Sequence, residues 1–103
     1  MYIIVMTTFD NKDEAKEVAR SIIDEGLGAC VQVIGPIESV YKWKGHTEVS
    51  EEYICLIKTK NSLYKDLKRT IIELHPYENP EILQIDIQDG SHEYLKWIDD
   101  VTI

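Results

Sequence analysis

Cysteine, proline and basic charge are all scarce in this chain, and it has no long apolar run. Two cysteines, Cys30 and Cys55, stand far apart in 103 residues. They form no Cys-x-x-Cys pair and no disulfide framework, and they read as reduced, buried thiols. The longest apolar stretch, Met1 to Met6, falls far short of the ~20 residues that span a bilayer. It lacks the basic start and cleavage site of a signal peptide, so the expected location is the cytoplasm. Eleven Lys and Arg face 19 Asp and Glu, a net charge of −8. Such a surface repels polyanions, which argues against nucleic acid and anionic membrane as partners. It enriches cations nearby. A Gly-rich phosphate loop, a His-Glu-x-x-His zinc motif and a Gly-x-Ser-x-Gly elbow are also missing.

What is present reads as one globular domain over residues 1–103, with 44% hydrophobic and 29% charged residues. Residues 2–8 are apolar on both faces and read as a central strand covered on both sides. Asn11 with Glu14 has capping-box spacing. Ala15, Val18, Ala19, Ile22 and Ile23 then form one helical stripe, which Gly26 ends. Residues 29–34 read as a strand, Gly35-Pro36 as a break or bulge, and Ile37 to Trp43 as its continuation. Lys44-Gly45-His46 is the turn candidate. The returning arm, about Thr47 to Thr59, alternates Tyr53, Cys55 and Ile57 against Ile54, Leu56 and Lys58, and also reads as central. Asn61 or Ser62 is placed to cap a second helix striped by Leu63, Leu67, Ile71 and Leu74. Pro76 ends it and biases His75 out of the helix. Glu81 to Gln88 reads as a strand. Ser91 caps a last helix with Tyr94, Trp97, Ile98 and Val101 on one face.

The order β-α-β-β-α-β-α is α+β. It is the split motif of a ferredoxin-like sandwich with an extra C-terminal helix. In that fold the first and third strands are central, matching the two strands that look apolar on both faces. The hairpin from Ala29 to Thr59 has arms well past the usual ~5–6 residues. Long exposed edges are normally covered, so its arms are expected to pair with another subunit.

Several segments resemble the CutA (divalent-cation tolerance) family. They are Thr7-Thr8-Phe9, Leu27 to Gln32, Val40 to Gly45, Ile54 to Thr59, Leu74 to Ile82 and Tyr94 to Ile98. The likeness covers nearly the whole chain. His-Pro-Tyr-Glu-x-Pro and Tyr-x-Trp-x-Gly are its most specific parts. The resemblance implies a ferredoxin-like fold assembled as a tight homotrimer by long interlocking strands. It also implies an association with copper or another divalent cation. Some family members carry Cys where Met6 stands and His where Leu74 stands, and copper binding is attributed there to those residues. Of that set only His75 is present here.

His75 ends its helix, where it either bonds a free carbonyl or acts as a metal ligand or acid–base group. Glu78 could share an ion with it if Pro76 sits at the second position of a β-turn. Cys30 is a soft-ligand candidate or a buried thiol. His75, Glu78 and Cys30 are thus the candidate metal ligands. His46 and His92 read as solvent-facing. Lys58 sits on an apolar strand face and should pair with a carboxylate or carry a functional charge. With Tyr41, Trp43 and Tyr77 as aromatic walls, Lys58 could help form a ligand cleft at a subunit boundary. The leading reading is a trimeric, cytoplasmic divalent-metal protein without turnover. One rival is a PII-like sensor binding a small molecule between subunits. Another is an enzyme using His75 and Glu78 as acid and base. A purely structural trimer is the fourth.

Overall fold

Strand β1 (Tyr2–Phe9) runs through the middle of the sheet and pairs antiparallel on both sides. The computed structural model describes residues 1–103. Its four-stranded sheet has the order β2-β3-β1-β4, built from β2 (Cys30–Trp43), β3 (His46–Lys60) and β4 (Leu83–Asp86). The first and third strands are central, as the sequence predicts. Helices α1 (Lys12–Asp24) and α2 (Tyr64–Leu74) pack on one face. There Ile3, Val5 and Phe9 of β1 and Cys55 and Ile57 of β3 meet Ala15, Val18, Ile22, Leu67 and Ile71, all buried. Burial in this layer pushes the Cys55 thiol up to about 11, so it stays protonated and inert.

Helix α1 starts and stops as its sequence dictates. The Asn11 side chain accepts the Glu14 N–H at 3.0 Å. At the other end Gly26 takes φ +73°. The Gly26 and Leu27 N–H groups then bond the Ile23 and Ile22 carbonyls, the paired bonds of a Schellman stop. Its stripe is narrower than predicted, because Ile23 is exposed.

Helix α2 departs from its predicted start. Neither Asn61 nor Ser62 caps it; a 3₁₀ turn, Asn61–Leu63, leads into the helix. The Asn61 side chain accepts from Gln84 Nε2 and so ties the turn to β4 instead. The buried stripe runs Leu63, Leu67, Ile71, and the next member four residues on is His75. Leu74 lies off that line and is exposed, contrary to expectation.

The opposite sheet face is covered only at one end, by α3 (His92–Val101). Ser91 caps α3 by accepting the Tyr94 N–H. Asp99 of α3 accepts from the Tyr2 hydroxyl and lies 4.0 Å from Lys60 Nζ. Ile98 alone of the predicted apolar face is buried, while Tyr94, Trp97 and Val101 are exposed. Beyond α3, the cross-strand rows Leu83-Met6-Leu56 and Ile85-Ile4-Lys58 and the pair Ile54-Ile34 leave apolar side chains half-buried or exposed. The expectation that β1 and β3 are covered on both faces is therefore met on one face only. Strand β4 is also shorter than the predicted 81–88, because its pairing with β1 runs only from Leu83 to Asp86.

The β2–β3 hairpin has arms of 14 and 15 residues and stretches the molecule to 44 Å along its long axis. Lys44 and Gly45, with φ of 48° and 81°, close it as a two-residue turn. His46 is not part of the turn but pairs with Trp43. The register shifts between Ile34 and Ile37, so Gly35-Pro36 is a bulge within one continuous strand. A Cβ on Gly35 would lie 2.5 Å from the Tyr53 ring, which keeps glycine at that close approach.

Candidate functional site

Three segments meet where β1 ends. The C-terminal end of β1 brings Thr8 and the following Asp10. The hairpin brings Tyr41, Trp43, Ser50 and Glu52. The connector from Pro76 to Pro80 brings Tyr77 and Glu78, with Glu81 just beyond. Between them lies a cleft of about 670 Å³. Four carboxylates line it, those of Asp10, Glu52, Glu78 and Glu81, against one ammonium, Lys42.

Glu52 is the best-fixed of these groups. It is 7% exposed, and its Oε2 accepts the Tyr77 hydroxyl at 2.7 Å. No lysine, arginine or histidine forms an ion pair with it. Burial and the neighbouring Glu52 charge together raise the pKa of Glu81. Burial raises that of Tyr77 further, helped by its bond to Glu52, so the phenol stays a donor. Across the cleft, the Tyr41 hydroxyl and Ser50 Oγ share a hydrogen bond of 2.7 Å, which holds the ring. Lys44 Nζ lies 5.6 Å from the centroid of a Trp43 ring.

His75 lies behind this wall rather than in it. Its Nε2–H donates to the Thr8 carbonyl at 2.7 Å. That bond fixes the tautomer, and Nδ1 accepts the Tyr77 N–H at 3.2 Å. The ring stacks on Phe9 with centroids 4.2 Å apart. Burial lowers its pKa, opposed by the Thr8 carbonyl and by Glu14, Asp10 and Glu52. His75 is thus a neutral positioning residue that joins α2, β1 and the connector. Of the readings open to a histidine at a helix end, the ring shows carbonyl bonding, though to Thr8 of β1 and not to its own helix. The imidazole, rather than a Glu78 N–H to His75 carbonyl bond, closes the bend.

The predicted site residues separate into two groups. Tyr41, Trp43, Tyr77 and Glu78 line the cleft together. Cys30 and Lys58 do not reach it: they pair with each other, four residues along β3 from Ile54, the partner of Thr8. That places them ~13 Å away at ~3.3 Å per residue. Lys58 Nζ sits 5.6 Å from the Tyr94 ring centroid and has no carboxylate partner, which leaves the second expectation for it, a functional charge, open. Within one chain, His75, Glu78 and Cys30 do not converge, and no three His, Cys, Asp or Glu side chains are grouped to hold a metal ion. Both ring nitrogens of His75 are engaged in hydrogen bonds within the chain. His46 and His92 are exposed, as predicted.

Sequence reasoning missed Asp10, Glu52 and Glu81. Glu52 was legible in principle. It shares strand parity with Ile54 and Leu56, whereas its neighbour Glu51 does not.

Comparison with known proteins places this architecture. Residues 3–101 match the model of the CutA1 divalent ion tolerance protein family. Protein CutA of Mus musculus is 39% identical over 95 residues, covering 92% of this chain and 54% of the mouse protein. The chloroplastic Protein CutA of Arabidopsis thaliana is 38% identical over 100 residues, covering 97% of this chain and 55% of its own length. The chain therefore spans about half the length of these curated relatives. The structure of the divalent cation tolerance protein Cut A1 from Thermus thermophilus superposes with a TM-score of 0.96 at 33% identity, covering 99% of both chains. On its fold, and on a family match that runs from β1 to the end of α3, this chain belongs to the CutA1 divalent ion tolerance family.

Proposed function

We propose that this chain is a divalent-cation-binding protein that works as a homotrimer, holds its cation without chemical turnover and acts in the cytoplasm. The observation that carries this reading is the cleft of four carboxylates against one lysine. Its donors are oxygens, which suit hard divalent ions, and Cu²⁺ also binds such sites strongly by the Irving–Williams order. Glu52 and Glu81, whose charges interact, would hold a hydrated cation through their oxygens, without the three-ligand set of a closed metal centre. Cys30 lies away from this cleft along the sheet, and His75 stands behind its wall.

Self-assembly is supported by the uncovered sheet face. Ile34, Leu83 and Ile85 are exposed beside half-buried Ile4, Met6, Ile54 and Leu56. An apolar patch of that kind is characteristic of an interaction surface. Three chains would carry −24 at −8 each, which concentrates cations around the assembly. The cytoplasmic location rests on the two free cysteines. Location differs among relatives, since the Arabidopsis protein is named chloroplastic.

The test is a calorimetric titration of Cu²⁺ and Zn²⁺ into metal-stripped protein, with light scattering to give the assembly state. Saturable binding at a fixed stoichiometry per trimer, weakened at least tenfold in Glu52→Gln, is expected; tenfold is ~1.4 kcal/mol. Unsaturable uptake that ignores the substitution would overturn the site. A monomer at working concentration would overturn the assembly.

A further inference from the structure

The cleft has more room and a different wall than a bare ion needs. Its volume of about 670 Å³ falls in the range of small-molecule pockets. Tyr41, Trp43 and Tyr77 line it with aromatic side chains, a more apolar wall than a bare ion needs. Hydroxyl bonds to Ser50 and Glu52 hold the two tyrosines in place. Glu52, more than nine-tenths buried, lines the same cavity without a cationic partner.

Aromatic faces attract alkylated and guanidinium cations, and a carboxylate accepts their N–H groups. A planar guanidinium satisfies both features at once, bonding Glu52 and Glu81 through its N–H edge while a ring covers its face. We propose that the cleft binds a small organic cation bearing N–H donors, of the alkylguanidinium class. This rests on the cleft being a cation site, but it requires the aromatic walls as well, which metal binding does not.

Ethylguanidinium is the probe, titrated into the assembled protein in a Trp97→Phe background so that Trp43 is the only tryptophan reporting. Saturable change in Trp43 emission is expected, with affinity at least tenfold weaker in Glu52→Gln. Should that variant fold poorly, the exposed Glu81→Gln replaces it, with the same expected loss. Tetraethylammonium, which has no N–H, should bind at least tenfold more weakly, and Zn²⁺ should compete with ethylguanidinium. Calorimetry on Trp43→Ala should show ethylguanidinium affinity falling by a larger factor than Zn²⁺ affinity. Zn²⁺ binding without ethylguanidinium binding would overturn this inference and leave the metal reading intact. If neither binds, both readings fail. Equal binding of tetraethylammonium would refute recognition through N–H donors.

Discussion

The Tyr77 hydroxyl donates to Glu52 Oε2 at 2.7 Å, joining the connector after α2 to the hairpin. That bond gives a buried carboxylate its one side-chain donor and fixes one wall of the cleft. Tyr77→Phe should lower the unfolding free energy by about 1–3 kcal/mol, the usual cost of leaving a buried charged group short of a donor. Urea unfolding at fixed chain concentration measures it. The double variant Tyr77→Phe/Glu52→Gln should lose less than the two single losses added, because the partners are in contact. Strict additivity would show that the bond is not formed in solution.

His75 should give the protein a pH-dependent stability of definite sign. Its pKa is lowered in the fold, so the unfolded chain binds the extra proton more readily. The contribution of the neutral ring is complete above its ordinary value of ~6.5. It is lost as pH falls from there through the lower folded value. Melting temperature should therefore decline across that window in the parent protein and decline less in His75→Gln. Glu81 acts in the other direction: its raised pKa makes its contribution complete below the ordinary carboxylate value and lost as pH rises through the folded one. Identical profiles for the parent and His75→Gln between pH 7 and 5 would contradict the role given to His75.

Gly26 is held to glycine by two separate constraints. Its φ of +73° disfavours any Cβ, and a Cβ there would lie 2.9 Å from Ile103 Cγ2. Gly26→Ala should cost about 1–2 kcal/mol or more, measured by thermal or urea unfolding. Gly45→Ala, with φ of +81° but open space around it, should cost less.

Ile71 is fully buried between α2 and the sheet. Ile71→Ala should destabilise by about 2–5 kcal/mol, while Ile72→Ala, at an exposed position one residue on, should change stability by about 0.5 kcal/mol or less. Their difference in urea midpoint checks the packing of this helix.

Most of the fold was written in local patterns. The alternation around Tyr53, Cys55 and Ile57 marked a strand, Asn11 and Gly26 marked the ends of α1, and the doubly apolar β1 marked the sheet centre. What local pattern could not show was set by distant contacts. His75 looked like a helix-end residue because Pro76 follows it, but its ring partners are Thr8 and Phe9, more than sixty positions away in the chain. Asn61 looked like a cap until Gln84 supplied a competing partner. Lys58 and Cys30 carry attractive chemistry, yet strand register puts them at the far end of the sheet from Thr8. The aromatic half of the cleft was legible because Tyr41, Trp43 and Tyr77 are conspicuous types. Asp10, Glu52 and Glu81 were not, since an acidic chain offers many equivalent carboxylates and only tertiary structure selects among them.

The most direct test of the cleft as the cation site is anomalous diffraction at the zinc edge from crystals of the assembled protein grown with Zn²⁺. The expected result is one peak per protomer in the cleft, beside Glu52 and Glu81. A peak at Cys30 on the opposite sheet end, with none in the cleft, would contradict it.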